Sequence, residues 1–256
     1  MKNRPREQTD SALARKLSQC LELEPEDLAR IGEFEGQAEA VAAGEDLVVE
    51  NQPFHRAGVL VEGWCLKYKL LSDGRRQVVN FVLPGGFIGL HANVFETADH
   101  SVSTLSRCRV SRFDPQLVTK TFAERPLLAA AIVWDNAREE AVLMEHLASL
   151  GRRSADDRFA HLMFELAKQL TRRDLVGEER ILLPIPQAVI ADTLGLSLVH
   201  VSRTMSRLRR EGLIETSPPR GIALSDLNGL ARVCGYADPS LRPAPLPERT
   251  RKSIGA

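Results

Sequence analysis

The densest chemistry in the chain lies in residues 186–210, PQAVIADTLGLSLVHVSRTMSRLRR. Arg203, Arg207, Arg209 and Arg210 crowd its end, and no acid appears between Ser197 and Arg210. Guanidinium groups gathered this way suit phosphate oxygens and guanine edges, both of which accept paired hydrogen bonds. Val201, Met205 and Leu208 recur at helical spacing and give the same segment a buried side. Ser197 stands where a helix N-cap is needed, and Gly195 supplies the left-handed residue of a tight turn. Before it, Ile190 and Leu194 form a short apolar face, small Ala191 permits a close crossing, and Pro186 suits a first helical position. Such a pair is helix-turn-helix logic, in which the second helix enters the DNA major groove. The candidate DNA contacts are Gln187, Ser197, Val199, His200, Ser202, Arg203, Arg207, Arg209 and Arg210. Residues 213–216 and 222–224 flank Ser217-Pro218-Pro219-Arg220-Gly221, a hairpin placed as the wing of a winged helix. The competing reading is an ordinary helical hairpin with a solvated arginine face.

Other chemistry is sparse. Cys20, Cys65, Cys108 and Cys234 never approach C-x-x-C spacing, so they read as reduced small hydrophobes, and no metal site is expected. There is no Gly-rich phosphate loop, no H-E-x-x-H and no nucleophile elbow, which argues against an enzyme. His146 and His161 read as solvated helical histidines.

These groups need elements to hold them. Residues 57–83 read as β-structure: Leu66, Tyr68 and Leu70 alternate with Lys67 and Lys69, Ser72-Asp73-Gly74 turns the chain, and a second β-rich run follows. Residues 102–113 give one more strand-like stretch, so a small barrel or sandwich is expected over roughly 40–113. From 127 to 150 the chain has no Gly or Pro. Ala130, Val133, Ala137, Ala141, Met144 and Ala148 make a stripe of mostly small residues on one helix face, fit for close approach of a second helix. A single helix capping its own core is the plainer reading of that stripe. Leu143, Leu147 and Leu150 lie to its side and are expected on the β-domain, with Gly151 closing the helix. Ser154-Ala155-Asp156-Asp157 has the form of a capping box, opening a helix buried through Phe159, Leu162, Met163, Leu166 and Leu170. Residues 171–180 read as a polar loop, and the proline-rich end after Ala237 as a mobile tail.

The chain has 256 residues, 43% of them hydrophobic, with 34 basic and 34 acidic side chains. That excludes a disordered tail protein and a strongly basic packing protein, and the length suggests two domains. The neutral total hides an asymmetry: residues 1–150 carry 17 Lys/Arg against 22 Asp/Glu, residues 151–256 carry 17 against 12. The basic half points toward a polyanion. No apolar run reaches the ~18 residues of a membrane span, and the start lacks a signal-peptide core, so a cytoplasmic protein without membrane contact is expected.

Two blocks of the sequence resemble the Crp/Fnr superfamily of bacterial transcription regulators, and the resemblance extends over roughly residues 25–235. One runs from Asp73-Gly74-Arg75-Arg76-Gln77 through Phe81 to Pro84-Gly85-Gly86-Phe87-Ile88-Gly89, and is similar to that family's β-roll. The other runs from Leu194-Gly195-Leu196-Ser197 to Val201-Ser202-Arg203, and is similar to its recognition helix. The resemblance implies an α+β fold: an N-terminal double-stranded β-helix (a jelly-roll-like, cyclic-nucleotide-binding-type β-roll), a long dimerisation helix and a C-terminal winged helix. On that basis residues 1–24 are an N-terminal extension, 25–115 the sensory roll, 116–151 the dimerisation helix, 152–236 the DNA-binding domain and 237–256 a flexible tail. It implies too that the stripe from Ala130 to Ala148 is a two-fold dimer seam.

The chain departs from the family at its effector site, where Gly89, Leu90, His91, His100 and Ser101 are the candidate pocket. Cyclic-AMP-binding members follow the glycine with Glu and carry Arg-Ser about ten residues later, where this chain has Leu90 and His100-Ser101. Leu90 cannot accept a hydrogen bond, and a neutral imidazole replaces poorly a bidentate guanidinium. The effector is therefore not expected to be cyclic AMP. No cofactor is expected, with haem on His91 or His100, or another small molecule, as the open alternative. Many relatives carry Glu where this chain has Val199, which can make only apolar contact, for instance with a thymine methyl. The expected partners are a two-fold symmetric operator in double-stranded DNA, a second copy of the chain, and RNA polymerase. The competing function is a ligand-binding or protein-interaction module whose helix-turn-helix does not read DNA.

Overall fold

The computed structural model describes residues 11–176, 181–217, 221–235 and 245–254. Strands β1 (Ala38–Val41), β2 (Asp46–Val48), β3 (Ala57–Glu62), β4 (Cys65–Leu70), β5 (Arg76–Val82), β6 (Phe87–Ile88), β7 (Ser101–Thr104) and β8 (Cys108–Phe113) build two sheets, ordered β1-β8-β3-β6 and β2-β7-β4-β5. β3 runs antiparallel to β8 with Val59 opposite Ser111, and β4 to β7 with Lys67 opposite Val102. The 102–113 stretch is thus two strands, not one. Leu60, Cys65, Val82, Val102, Cys108 and Val110 fill one cluster of this roll.

A second cluster carries the helices. α1 (Ala12–Leu17) and α2 (Pro25–Glu35) bring Leu13, Leu17, Ile31 and Phe34 to Val59, Phe87 and Phe113. Phe34 stands edge-on to both Phe87 and Phe113, at centroid distances of 5.8 and 5.0 Å, a favoured aromatic geometry. The described part of the expected extension is therefore core. The expected mobile tail is corrected as well for residues 245–254: Leu246 is buried in this cluster, its N–H donates to the Cys20 carbonyl at 3.0 Å, and α9 (Glu248–Ile254) follows. Pro239 and Pro243 lie outside the described residues.

The segment expected as one helix over 116–151 is two, α3 (Gln116–Glu124) and α4 (Pro126–Arg152). Proline cannot donate to the preceding turn, and Arg125 leaves the helical region at the junction. Its guanidinium donates to Asp27 at 2.8 Å and to Glu24 at 2.6 Å, fixing the break. Gly151 does not close α4, which continues to Arg152.

Two compact units result. One holds the described chain through Lys69, Phe81–Glu139 and the residues from Pro245; the other holds Leu70–Asn80 and Glu140 to Gly235. In the second, the Ser154–Asp157 capping box opens α5 (Ala155–Arg172) with both of its reciprocal hydrogen bonds. Phe159, Leu162, Met163, Leu166 and Leu170 are all buried, as their spacing requires. β9 (Ile181–Leu183), α6 (Gln187–Leu194), α7 (Leu198–Arg210), β10 (Ile214–Ser217), β11 (Gly221–Leu224) and α8 (Leu227–Cys234) complete it, with the sheet ordered β10-β11-β9. The expected wing is the β10–β11 hairpin, whose tip residues 218–220 lie outside the described ones. Pro186 precedes α6 in extended conformation as its N-cap, not as its first residue, because Gln187 already supplies the first helical dihedrals.

Candidate nucleic-acid interface and β-roll site

Gly195 adopts φ 62°, ψ 38° between α6 and α7, the left-handed step that a side chain would disfavour. Two residues later the Ser197 hydroxyl accepts the His200 N–H at 3.2 Å and caps α7. Val201, Thr204, Met205 and Leu208 are buried, which turns Val199, Ser202 and Arg203 outward as one row. Val199 is 61% exposed and Leu198 55%, apolar side chains left in water at the start of the helix. Gln187 and His200 are exposed as well.

The four arginines have different surroundings. Arg203 and Arg210 are exposed and form no hydrogen bond or ion pair among the described residues. Arg207, expected as a DNA contact, is instead held within the protein: its Nη1 lies 2.5 Å from Asp156 and its Nε 3.7 Å from Glu211. The buried Thr204 hydroxyl donates to the other Asp156 oxygen at 2.8 Å. Asp156 thus fastens α7 to α5, a role the capping-box reading of that residue hid. Arg209 donates to Thr216 Oγ1 of β10 at 2.8 Å and to Ser206 Oγ at 3.1 Å, tying the recognition helix to its wing.

His146 and His161 are not solvated. His161 is buried and its ring is held below the ordinary imidazole value by that burial. His146 is half-buried, and that desolvation alone would lower it. The Glu165 carboxylate 2.9 Å from Nε2 and the Val79 carbonyl 3.0 Å from Nδ1 outweigh that and push it up to about 9. Both ring nitrogens donate in this charged form.

In the roll, Gly89 is left-handed at φ 63° and launches the 3₁₀ turn Leu90–Asn93. Leu90 packs against the helical cluster instead of lining a polar recess. The Ser101 hydroxyl accepts the Glu50 N–H at 2.9 Å and is buried. His91 and His100 meet at a centroid distance of 5.1 Å, with Asp99 Oδ1 3.0 Å from His91 Nε2 and 2.7 Å from His100 Nδ1. Burial, with the Lys67 charge adding at His100, holds both rings below the ordinary value. The five expected pocket residues therefore split into three packed positions and a histidine pair joined by Asp99. A cyclic phosphate would meet no guanidinium at His100 and a ribose no acceptor at Leu90.

On α4, Val133, Met144 and Leu147 are 51%, 57% and 65% exposed, and Ala137 and Ala148 are exposed beside them. Ala130 and Ala141 are half-buried. Leu147, expected on the β-domain, stands in water on the same strip, because positions 133, 137, 144, 147 and 148 share one helix face. Leu143 is exposed as well.

Two family models match the chain. The cyclic nucleotide-binding domain matches residues 38–125 and the Crp-like helix-turn-helix domain residues 157–233. The nitrogen fixation regulation protein FixK of Bradyrhizobium diazoefficiens is 35% identical over 191 residues, covering 73% of this chain and 79% of that protein. The transcriptional activatory protein AadR of Rhodopseudomonas palustris is 35% identical over 207 residues, covering 80% and 84%. The solved structure of FixK2 from Bradyrhizobium japonicum superposes with a TM-score of 0.70 at 27% identity, covering 78% of this chain and 98% of that one. With its roll, its capped recognition helix and its wing, the chain belongs to the Crp/Fnr family of transcription regulators. It is a DNA-binding regulator of that type.

Proposed function

We propose that the protein acts in the cytoplasm as a homodimer on a two-fold symmetric operator, with the N-terminal half of α7 reading base edges. The observation that carries this reading is the outward row of Val199, Ser202 and the unpaired Arg203 on a helix whose other side is buried. A guanidinium there suits guanine O6 and N7, and Val199 suits a thymine methyl. Arg210 lies toward the helix end and meets phosphate, and RNA polymerase is the further partner, in keeping with relatives named as activators. The exposed strip of α4 pairs two copies, which sets two recognition helices one helical turn of DNA apart.

The roll answers to an effector other than cyclic AMP. Leu90 and His100 support this, and calorimetry with cyclic AMP is expected to show no saturable heat at micromolar concentration. The DNA reading is tested by selecting bound duplexes from a random pool, then titrating the selected operator across salt. Tight binding with a steep salt slope is expected. Weak binding with a shallow slope would assign the helix-turn-helix to a protein partner.

A further inference from the structure

His91 and the Asp99-His100 pair come from different parts of the roll. The turn that starts at left-handed Gly89 presents His91, and Asp99-His100 leads directly into β7. The loop between them is held by the Pro53–Thr97 bridge and by Lys69, which donates to the Asp99 carbonyl at 2.6 Å. Phe54 stands edge-on to the His91 ring at 5.2 Å and Phe95 flanks it at 5.8 Å, so that ring is wedged in place.

Three donor atoms converge there, and we propose that His91 Nε2, Asp99 Oδ1 and His100 Nδ1 bind one first-row divalent transition ion, with water in the remaining position. These atoms all lie within 4.8 Å of one another. Ligands around a tetrahedral ion with ~2.0–2.2 Å bonds sit about 3.3 Å apart. The 3.0 and 2.7 Å separations from Asp99 therefore need to open by about 0.3 and 0.6 Å. A second observation favours an ion over a plain hydrogen-bonded cluster. His91 Nε2 is inaccessible to solvent and, although 3.0 Å from a carboxylate oxygen, makes no aligned hydrogen bond. It has a lone pair or a proton with nowhere good to point.

The donor set selects the metal. Two imidazole nitrogens and one carboxylate oxygen suit Zn²⁺, Co²⁺, Ni²⁺ or Fe²⁺, whereas Mg²⁺ and Ca²⁺ require oxygen shells. The Asp99 side chain is 64% exposed, so the site opens to solvent on one side and leaves room for water or a small ligand. Two lysines lie near the site, and each has a carboxylate partner that offsets its charge: Lys67 pairs with Glu139 at 2.7 Å and Lys69 with Glu50. The carboxylate fills the gap between the two rings, which suits a bare ion and not a porphyrin.

The test uses the full chain, stripped with chelator and titrated calorimetrically with Zn²⁺ alone. Saturation at one ion per chain is expected, with His91→Ala and Asp99→Ala each weakening binding by at least about tenfold and exposed His55→Ala leaving it unchanged. Asp99→Ala alters a mostly exposed side chain, so it keeps the test valid if His91→Ala does not fold. Co²⁺ should give visible ligand-field bands without sulfur charge transfer. Absent binding, binding indifferent to Asp99→Ala, a thiolate band, or equal affinity for Ca²⁺ would overturn the site. None of these outcomes depends on DNA.

Discussion

Arg203 and Arg207 are one residue type four positions apart on one helix, and their surroundings give them opposite work. Arg203 is exposed and has no hydrogen bond or ion pair among the described residues, so it is free to meet a base. Arg203→Ala should cost about 1–3 kcal/mol on the operator and relax preference at one base pair, with little change on random DNA. Arg207→Ala should instead loosen α7 from Asp156, lowering stability by under about 1 kcal/mol and leaving base preference unchanged. Fluorescence titration on single-pair operator variants separates the two; equal weakening of all sequences by Arg203→Ala would move base reading elsewhere. His146 gives a second prediction at this scale. Its folded value near 9 lies above the ordinary 6.5, so its pairing with Glu165 stabilises fully below about pH 6.5 and is lost as pH rises toward 9. His146→Gln should flatten the fall in thermal midpoint between pH 6 and 9, and an unchanged fall would remove His146 as its source. Residue types and helical spacing made the arginine face legible in the sequence. Pairing was not legible: Asp156 and Glu165 become partners only once α5 is laid against its neighbours.

At the scale of elements, α4 carries the clearest unfinished surface. Val133, Met144 and Leu147 are exposed together along one face, a strip and not scattered single residues. Ala137→Glu with Met144→Glu should give monomers by sedimentation and abolish tight operator binding, because both half-sites must be engaged together. A double variant that stays dimeric would place the seam on another face. The sequence identified this stripe by its period and small residues, but assigned Leu147 to the wrong neighbour. Periodicity gives an angle around the helix, whereas what lies opposite that angle is set by tertiary packing. The expected single helix over 116–151 overlooked a local signal, since Pro126 forces a break whatever the surroundings. Gly151 was misread because a glycine within a helix and one after it have the same sequence signature.

On the scale of the molecule, the two units are not consecutive lengths of chain. The tip between β4 and β5 belongs with the DNA-binding unit, where Arg76 donates through Nε and Nη2 to Asp192 of α6 at 3.0 and 2.8 Å. Gln77 adds a hydrogen bond to the Thr193 carbonyl at 3.1 Å. The Asp73–Gln77 motif was legible as a turn; its attachment to α6, over a hundred residues away, was not. At the other end Leu246 completes the cluster begun by Leu13 and Leu17. Leu246→Ala should therefore cost about 2–5 kcal/mol, read by chemical denaturation, although proline-rich composition alone suggested a mobile tail. A loss under about 0.5 kcal/mol would show that cluster closing without it.

Leu246 also sets an order of events at the ribosome. Synthesis runs from the N-terminal side, and domains ordinarily fold in the order in which they emerge. Here the cluster begun by Leu13 and Leu17 receives Leu246 only after residues 140–235 of the DNA-binding unit have been made. The regulator thus has its DNA-reading part translated before Leu246 can join its sensing part. A chain stalled before Leu246 would carry a recognition helix and a roll cluster lacking that side chain, and such nascent products are natural substrates for chaperones and proteases.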